Sequence, residues 1–310
     1  MIFTAMTIIA GLVALFIGGE MLVRASVMIG LRFGLSNLVI GLTIVALGTS
    51  APEMAVSIGA ALAGATELAI ANVVGSNLAN IALVLALSAL LKPIAIERMV
   101  LRRDMPIMLG SFALMAWVMM DGSIGRSNGV FLLTGLVAYI GYVVWQSSQS
   151  ASREEELDDK KLPVLLTLSL LLAGIVLLVL GARWLVQGAI TIATVLGVSQ
   201  AVIGLTVVAV GTSLPEIAAS IAALAKGHGA MAVGNVVGSN IWNTLGVLGV
   251  TAIISNLDQG NVGWDMLTMM AAVGLILWFF CRTRYQLSRY EGTILLLIYF
   301  GYQAWLFGGV

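Results

Sequence analysis

Charge is scarce in this chain. Asp, Glu, Lys and Arg make up 10% of its 310 residues, against 60% hydrophobic residues and a mean hydropathy of +1.06, a balance that excludes an ordinary water-solvated domain. One histidine and one cysteine are present, so no internal disulfide can form, and zinc or copper centres built on imidazole or thiolate have almost nothing to draw on. Cys281 ends an apolar run and is expected to be a small buried or lipid-facing residue. The formal net charge is zero, so the balance points neither to nucleic acid nor to an acidic partner. Residues Met1 to Gly19 lack the basic segment of a signal peptide and are expected to form a retained spanning helix.

What the chain has is apolar length. Runs of about 20 residues, enough to cross the hydrocarbon core, recur throughout, and the pattern predicts an all-α integral membrane protein with about ten transmembrane helices, at 3–27, 36–62, 68–91, 105–120, 129–147, 163–187, 199–225, 231–256, 265–281 and 289–309. The one long polar run, around Arg153 to Lys161, is expected to be a solvated linker. It separates two similar halves. A shift of 163 residues aligns them, and 26 of the 45 positions from Ser36 to Asn80 are identical to those from Ser199 to Asn243, which shared hydrophobicity alone does not produce.

Five helices per copy is an odd number, so the second copy enters the membrane from the opposite side. The expected organisation is a first five-helix repeat at 1–147, a cytoplasmic linker at 148–162 and a second, inverted five-helix repeat at 163–310. Lys and Arg set the orientation. With both termini outside the cytoplasm, only Arg126 and Arg183 fall at outer ends, while Arg24, Arg32, Lys92, Arg98, Arg102, Arg103, Arg153, Lys160, Lys161, Lys226, Arg282, Arg284 and Arg289 are inside. Trp145, Trp264, Trp278 and Tyr290, near span ends, are expected as interfacial anchors.

Gly48-Thr-Ser-Ala-Pro-Glu53 and its copy Gly211-Thr-Ser-Leu-Pro-Glu216 stand where helices should run unbroken. Pro52 and Pro215 have no N–H, so the carbonyls of Gly48 and Gly211 lose their helical partners, and a carboxylate follows at once. An ionised side chain at membrane depth costs about 2.5–3.5 kcal/mol even on lenient scales, so Glu53 and Glu216 are candidate functional residues. Thr49 and Ser50 lie within one turn of Glu53, and the all-oxygen surroundings suit hard cations. In the second repeated piece, Ser76, Asn80, Ser239 and Asn243 are candidate ligands, whereas Asn72, Asn77, Asn235 and Asn240 are expected to bind helices together. Thr43 and Thr206 are expected to bond back to their own helices. Glu20 is expected to pair with Arg24, four residues on. His228, in a short turn, is expected to be an ordinary loop histidine.

The paired stretches, each followed by Gly75-Ser-Asn-Leu-Ala-Asn80 or Gly238-Ser-Asn-Ile-Trp-Asn243, closely resemble the two alpha-repeats of the calcium/cation antiporter superfamily, specifically the prokaryotic sodium/calcium exchangers. The resemblance covers essentially the whole chain. It implies a multi-pass protein of the plasma (inner) membrane, embedded in the lipid bilayer, that exchanges Na⁺ for Ca²⁺ by alternating access and exports Ca²⁺. It implies no enzyme activity and no cofactor, with the two ions as substrates, no nucleic acid, and a monomer as the expected state.

By position, the resemblance implies that Glu53 and Glu216 bind Ca²⁺ from both sides with the carbonyls of Thr49 and Thr212. Na⁺ would use Ser50, Ser76, Ser213 and Ser239 and the carbonyls of Ala46 and Ala209, with Asn80 and Asn243 completing the set. The first and sixth helices would slide as a pair over the others. Some relatives carry aspartate where Asn243 stands; two carboxylates without a third argue against a potassium requirement. Ca²⁺/H⁺ exchange, or antiport of another divalent cation, is the alternative, but the acid-containing second motif of the calcium/proton branch is missing. An intramembrane hydrolase would lack a histidine base within the spans, and a channel would not need inverted repeats around one site.

Overall fold

Apolar runs buried in hydrocarbon must satisfy their own backbone N–H and C=O groups, and helices do so within the segment. The computed structural model describes residues 2–149, 162–196, 209–260 and 262–308. Its helices are α1 (Ile2–Arg32), α2 (Asn37–Thr49 and Ala51–Leu62, bent by 43° between them), α3 (Thr66–Leu91), α4 (Met105–Val118, entered through a π-helical turn at Val100–Asp104), α5 (Arg126–Gln149), α6 (Val164–Val195), α7 (described as Ala209–Thr212 and Leu214–Ala225), α8 (Gly229–Ile254), α9 (Trp264–Arg284) and α10 (Arg289–Gly308). Among the described residues six helices are long and apolar enough to cross a membrane, and the bent α2 would make a seventh.

Helices occupy the expected spans, but α1 and α6 run on to Arg32 and Val195 instead of stopping near residues 27 and 187. The start of the expected span 199–225, with Thr206, and nearly all of the expected linker lie outside the described residues.

The helix ends repeat across the duplication. Gly64 stops α2 at φ +80° and Gly227 stops α7 at φ +82°, a left-handed conformation that only glycine adopts without strain. Each turn is closed by the same long bond, Ala65 N to Ala60 O and His228 N to Ala223 O, both 2.9 Å. His228 is half-buried in this turn; burial and then the nearby Lys226 push its imidazole pKa down.

Four two-residue strands tie the ends of the bundle: β1 (Ile94–Ala95), β2 (Ser123–Ile124), β3 (Leu257–Asp258) and β4 (Gln286–Leu287). β1 pairs antiparallel with β4, and β2 with β3, with Ile94 opposite Leu287 and Ile124 opposite Leu257. Under the 163-residue shift, Ile94 becomes Leu257 and Ile124 becomes Leu287. The two pairings therefore exchange with one another, as two copies related by a two-fold would require.

α1 and α6 meet along a glycine seam. A Cβ on Gly11 would lie 2.9 Å from Gly181 O, and one on Gly18 would lie 2.9 Å from Gly174 O, so the contact runs backwards along α6 as it advances along α1. The helices are antiparallel and in backbone contact. Lipid is as apolar as leucine, so such pairs gain little from apolar burial and associate through close packing of small residues. Their other faces carry exposed Phe3, Phe16, Leu165 and Leu172. By contrast, α3 and α8 are largely buried at the centre.

Glu20 does not pair with Arg24. Its Oε1 accepts from Lys226 Nζ at 3.1 Å, because Gly19 lets α7 approach α1 so closely that a Cβ there would sit 2.9 Å from Ala218 O. Both partners are partly exposed, and such a pair contributes at most about 1 kcal/mol. Trp264, Trp145 and Tyr290 are exposed, but Trp278 is more than an interfacial anchor: its Nε1 donates to Leu101 O at 3.1 Å, and Arg282 stacks over its ring.

Candidate functional site

The two proline-containing stretches break their helices at the serine before them. Ser50 has φ −80° and ψ 5°, Ser213 has φ −86° and ψ 3°, and helix resumes at Ala51 and Leu214. Each glutamate therefore lies in the first turn of a new helical piece, where free N–H groups and the positive end of the helix dipole favour a negative charge. Glu53 and Glu216 are completely buried, and each lies within electrostatic reach of the other.

The carboxylates are poorly satisfied by protein. Glu216 Oε1 accepts from Ser50 Oγ at 3.5 Å, but Glu216 Oε2 and both oxygens of Glu53 have no hydrogen-bond partner. Buried charge without compensation is strongly unfavourable. Ser213 Oγ and the amide oxygens and nitrogens of Asn80 and Asn243 are likewise without a hydrogen bond, all in fully buried residues. Unpaired carboxylate, hydroxyl and amide oxygens are the donors that a hard cation coordinates. Among the described residues no group of three or more His, Cys, Asp and Glu side chains assembles, so the formal negative charge here is that of two carboxylates.

Some of the sequence-predicted residues meet across the two halves, Ser50 with Glu216 and Thr49 with Ser239. Thr49 Oγ1 donates to Asn235 Oδ1 at 3.1 Å and lies 3.4 Å from Ser239 Oγ, which joins α2 to α8 across the two halves. Ser76 is buried on α3. The carbonyl of Ala46 is engaged by its own helix, accepting from Ser50 N at 3.0 Å and Thr49 Oγ1 at 3.4 Å. Ala209 and Thr212 bound the short helical piece before the second break. Asn80 and Asn243 stand at the entrance to π-helical turns, Asn80–Leu85 and Trp242–Val247, a local widening often found at functional sites. Thr43 bonds back to Val39 O at 2.6 Å, as expected.

The supporting layer was only partly foreseen. Asn72 Nδ2 donates to Ser57 Oγ at 2.9 Å and to Glu53 O at 3.1 Å; Asn235 Nδ2 donates to Ser220 Oγ at 3.0 Å and to Glu216 O at 3.5 Å. These asparagines do hold helices together, but what they hold is the backbone of the glutamates. Ser57 and Ser220 were not singled out, although each stands four residues after its glutamate in both copies. Replacing Asn235 with Leu would release Thr49, Ser220 and the Glu216 carbonyl together, and transport is expected to fall about tenfold or more, as displaced site geometry does elsewhere. Initial-rate flux in vesicles checks this, and Asn235→Asp, which keeps an acceptor for Thr49, should lose less.

Comparison with known proteins gives a consistent pattern. The profile of the family described as sodium/calcium exchanger protein matches residues 3–147 and 166–308. The chain is 35% identical to the inner membrane protein YrbG of Escherichia coli (strain K12), over 92% of this chain and 90% of that one. It is 33% identical to the sodium/calcium exchanger MaX1 of Methanosarcina acetivorans, over 97% of each. A solved structure of the sodium-calcium exchanger NCX_Mj, soaked with 2.5 mM Na⁺ and 1 mM Sr²⁺, superposes with a TM-score of 0.84 at 34% identity and covers 98% of each chain.

Proposed function

This chain belongs to the sodium/calcium exchanger protein family, and from that premise we propose that it is a secondary-active antiporter exchanging Na⁺ for Ca²⁺, exporting Ca²⁺ on the sodium gradient. The observation that carries the reading is the pair of fully buried glutamates, one from each half, with three of their four carboxylate oxygens unpaired. A site with two negative charges and many neutral oxygens can be neutralised by one Ca²⁺ or by several Na⁺, which makes the two ions competitors. If only loaded forms interconvert, competition becomes coupling.

On this reading the chain spans the membrane ten times as two inverted five-helix repeats, with its termini outside the cytoplasm. The exchanged strand pairings, the matching glycine caps and the antiparallel seam of α1 and α6 support that organisation. Glu53 and Glu216 hold Ca²⁺, while Ser50, Ser76, Ser213, Ser239, Asn80 and Asn243 and the carbonyls of Thr49, Thr212, Ala46 and Ala209 serve the ions around it. Asn72 and Asn235 position the glutamates. The break beside each glutamate gives α2 and α7 two rigid pieces each, so the site can be reached from either side as its flanking helices shift.

Calcium-45 uptake into proteoliposomes tests the reading. An outward sodium gradient is expected to drive uptake, and potassium or proton gradients of the same size are not. Uptake driven by protons and indifferent to sodium would replace Na⁺ with H⁺ as the coupling ion.

A further inference from the structure

Asn77 and Asn240 are related by the 163-residue shift and both are completely buried, yet the site described above makes no use of their amide oxygens. Which end of each amide is oxygen follows from its partner. Thr244 Oγ1 donates to Asn240 O at 2.8 Å, so toward Asn77 it can only accept, and Asn77 must offer Nδ2, at 2.9 Å. Asn240 Nδ2 donates to the Val236 carbonyl at 2.7 Å, which has no proton to give. Both Oδ1 atoms are thereby left buried without a hydrogen bond, a condition that native structures rarely leave unanswered.

Each of these asparagines has a neighbour in the same condition. Asn77 is three residues before Asn80, and Asn240 three before Asn243, a spacing that puts side chains side by side on a helix. The amide groups of Asn80 and Asn243 are also unpaired. The result is two Asn-x-x-Asn pairs, one on α3 and one on α8, and the Asn77–Thr244 bond holds the two helices against each other at this level. Amide oxygens are hard, neutral donors. They add no charge to that of the two glutamates, so they can replace the hydration shell of a monovalent cation without creating a demand for a second divalent one.

We propose that Asn77 and Asn240 each give an amide oxygen to Na⁺ bound beside the two-glutamate centre, with Asn80 and Asn243 as the neighbouring amide ligands. This rests on the sodium/calcium reading, and two measurements keep the two claims apart. In detergent, the wild-type protein is expected to melt at a higher temperature in NaCl than in KCl, because a ligand that binds only the folded state stabilises it. Asn240→Leu, similar in size and giving up besides the oxygen only a bond within its own helix, should lose most of that sodium-specific gain and keep the gain given by Ca²⁺; Asn77→Leu also gives up the bond to Thr244 and should lose the same gain from a lower starting melting temperature. In vesicles their half-saturating Na⁺ concentration should rise about three- to tenfold, while exchange of Ca²⁺ for Ca²⁺ stays within about twofold. If a leucine variant does not fold, the alanine variant serves in its place. Leucine or alanine variants with wild-type sodium dependence in both assays would overturn the inference, and so would equal losses for Na⁺ and Ca²⁺, which mark a structural role. A wild-type protein whose calcium flux ignores sodium would instead remove the antiport reading, while a sodium-specific melting shift that depends on the asparagines would still stand.

Discussion

Glu53→Gln and Glu216→Gln are each expected to abolish the proposed coupled exchange, a loss of at least about 100-fold, while the protein still inserts and remains folded. Glutamine keeps the size and one oxygen of the side chain but removes the charge. With one carboxylate left, a bound Ca²⁺ carries an uncompensated positive charge in a site sealed from water, and the corresponding penalty exceeds the roughly 2.7 kcal/mol that a 100-fold loss represents. The fold should tolerate the change. Three of the four carboxylate oxygens make no hydrogen bond, so little native bonding is lost, and Glu216→Gln still offers an oxygen to Ser50. Removing one of two like charges from the interior is expected to leave the melting temperature of the ion-free protein unchanged or higher. Calcium-45 flux and thermal melting on the same purified sample test both halves. Sodium-driven calcium uptake persisting in either variant would remove the shared site.

How much of this could be read from the sequence depended on whether a feature was repeated. The helices were legible because each is an apolar run of spanning length, and the breaks in α2 and α7 were legible because Pro52 follows Gly-Thr-Ser-Ala and Pro215 follows Gly-Thr-Ser-Leu in register across the shift. Glu53 and Glu216 stood out because burying a carboxylate in an apolar segment is costly. The contacts between halves were not legible. Thr49 reaching Asn235, and Asn77 reaching Thr244, join residues 186 and 167 positions apart, and no local period encodes such a meeting. The Glu20–Arg24 expectation failed for a related reason. Spacing along one helix suggested an intrahelical pair, but the close approach of α7 at Gly19 brought Lys226 within reach. Helix extent was underestimated in α1 and α6, which run on to Arg32 and Val195, because the expected spans were cut near the length that crosses the hydrocarbon and a helix can continue beyond it.

Adding a single methyl group to the α1–α6 seam is expected to cut transport about tenfold or more. At Gly18 a Cβ would lie 2.8 Å from Leu178 N and 2.9 Å from Gly174 O, and at Gly181 it would lie 2.8 Å from Leu15 N and 2.9 Å from Gly11 O. These are backbone atoms of the facing helix, which cannot rotate aside as a long side chain would, so Gly18→Ala or Gly181→Ala must push the helices apart. Overpacking of this kind costs about 1–3 kcal/mol. If α1 and α6 slide as a pair, as the family resemblance implies, the loss should fall on function more than on insertion, because loosening the seam would uncouple them from each other. Gly18 and Gly174 lie against one another, so once Gly18→Ala has separated the helices, Gly174→Ala should add much less than its effect alone. Gly18 and Gly181 serve different contacts along the seam, and their effects should come closer to adding. Gly141→Ala is the control, since a Cβ there meets nothing within 4 Å, and both flux and melting temperature should stay at wild-type values. Wild-type flux in Gly18→Ala and Gly181→Ala would mean that the seam has slack the backbone distances do not allow, and the paired movement of α1 and α6 would have to be abandoned.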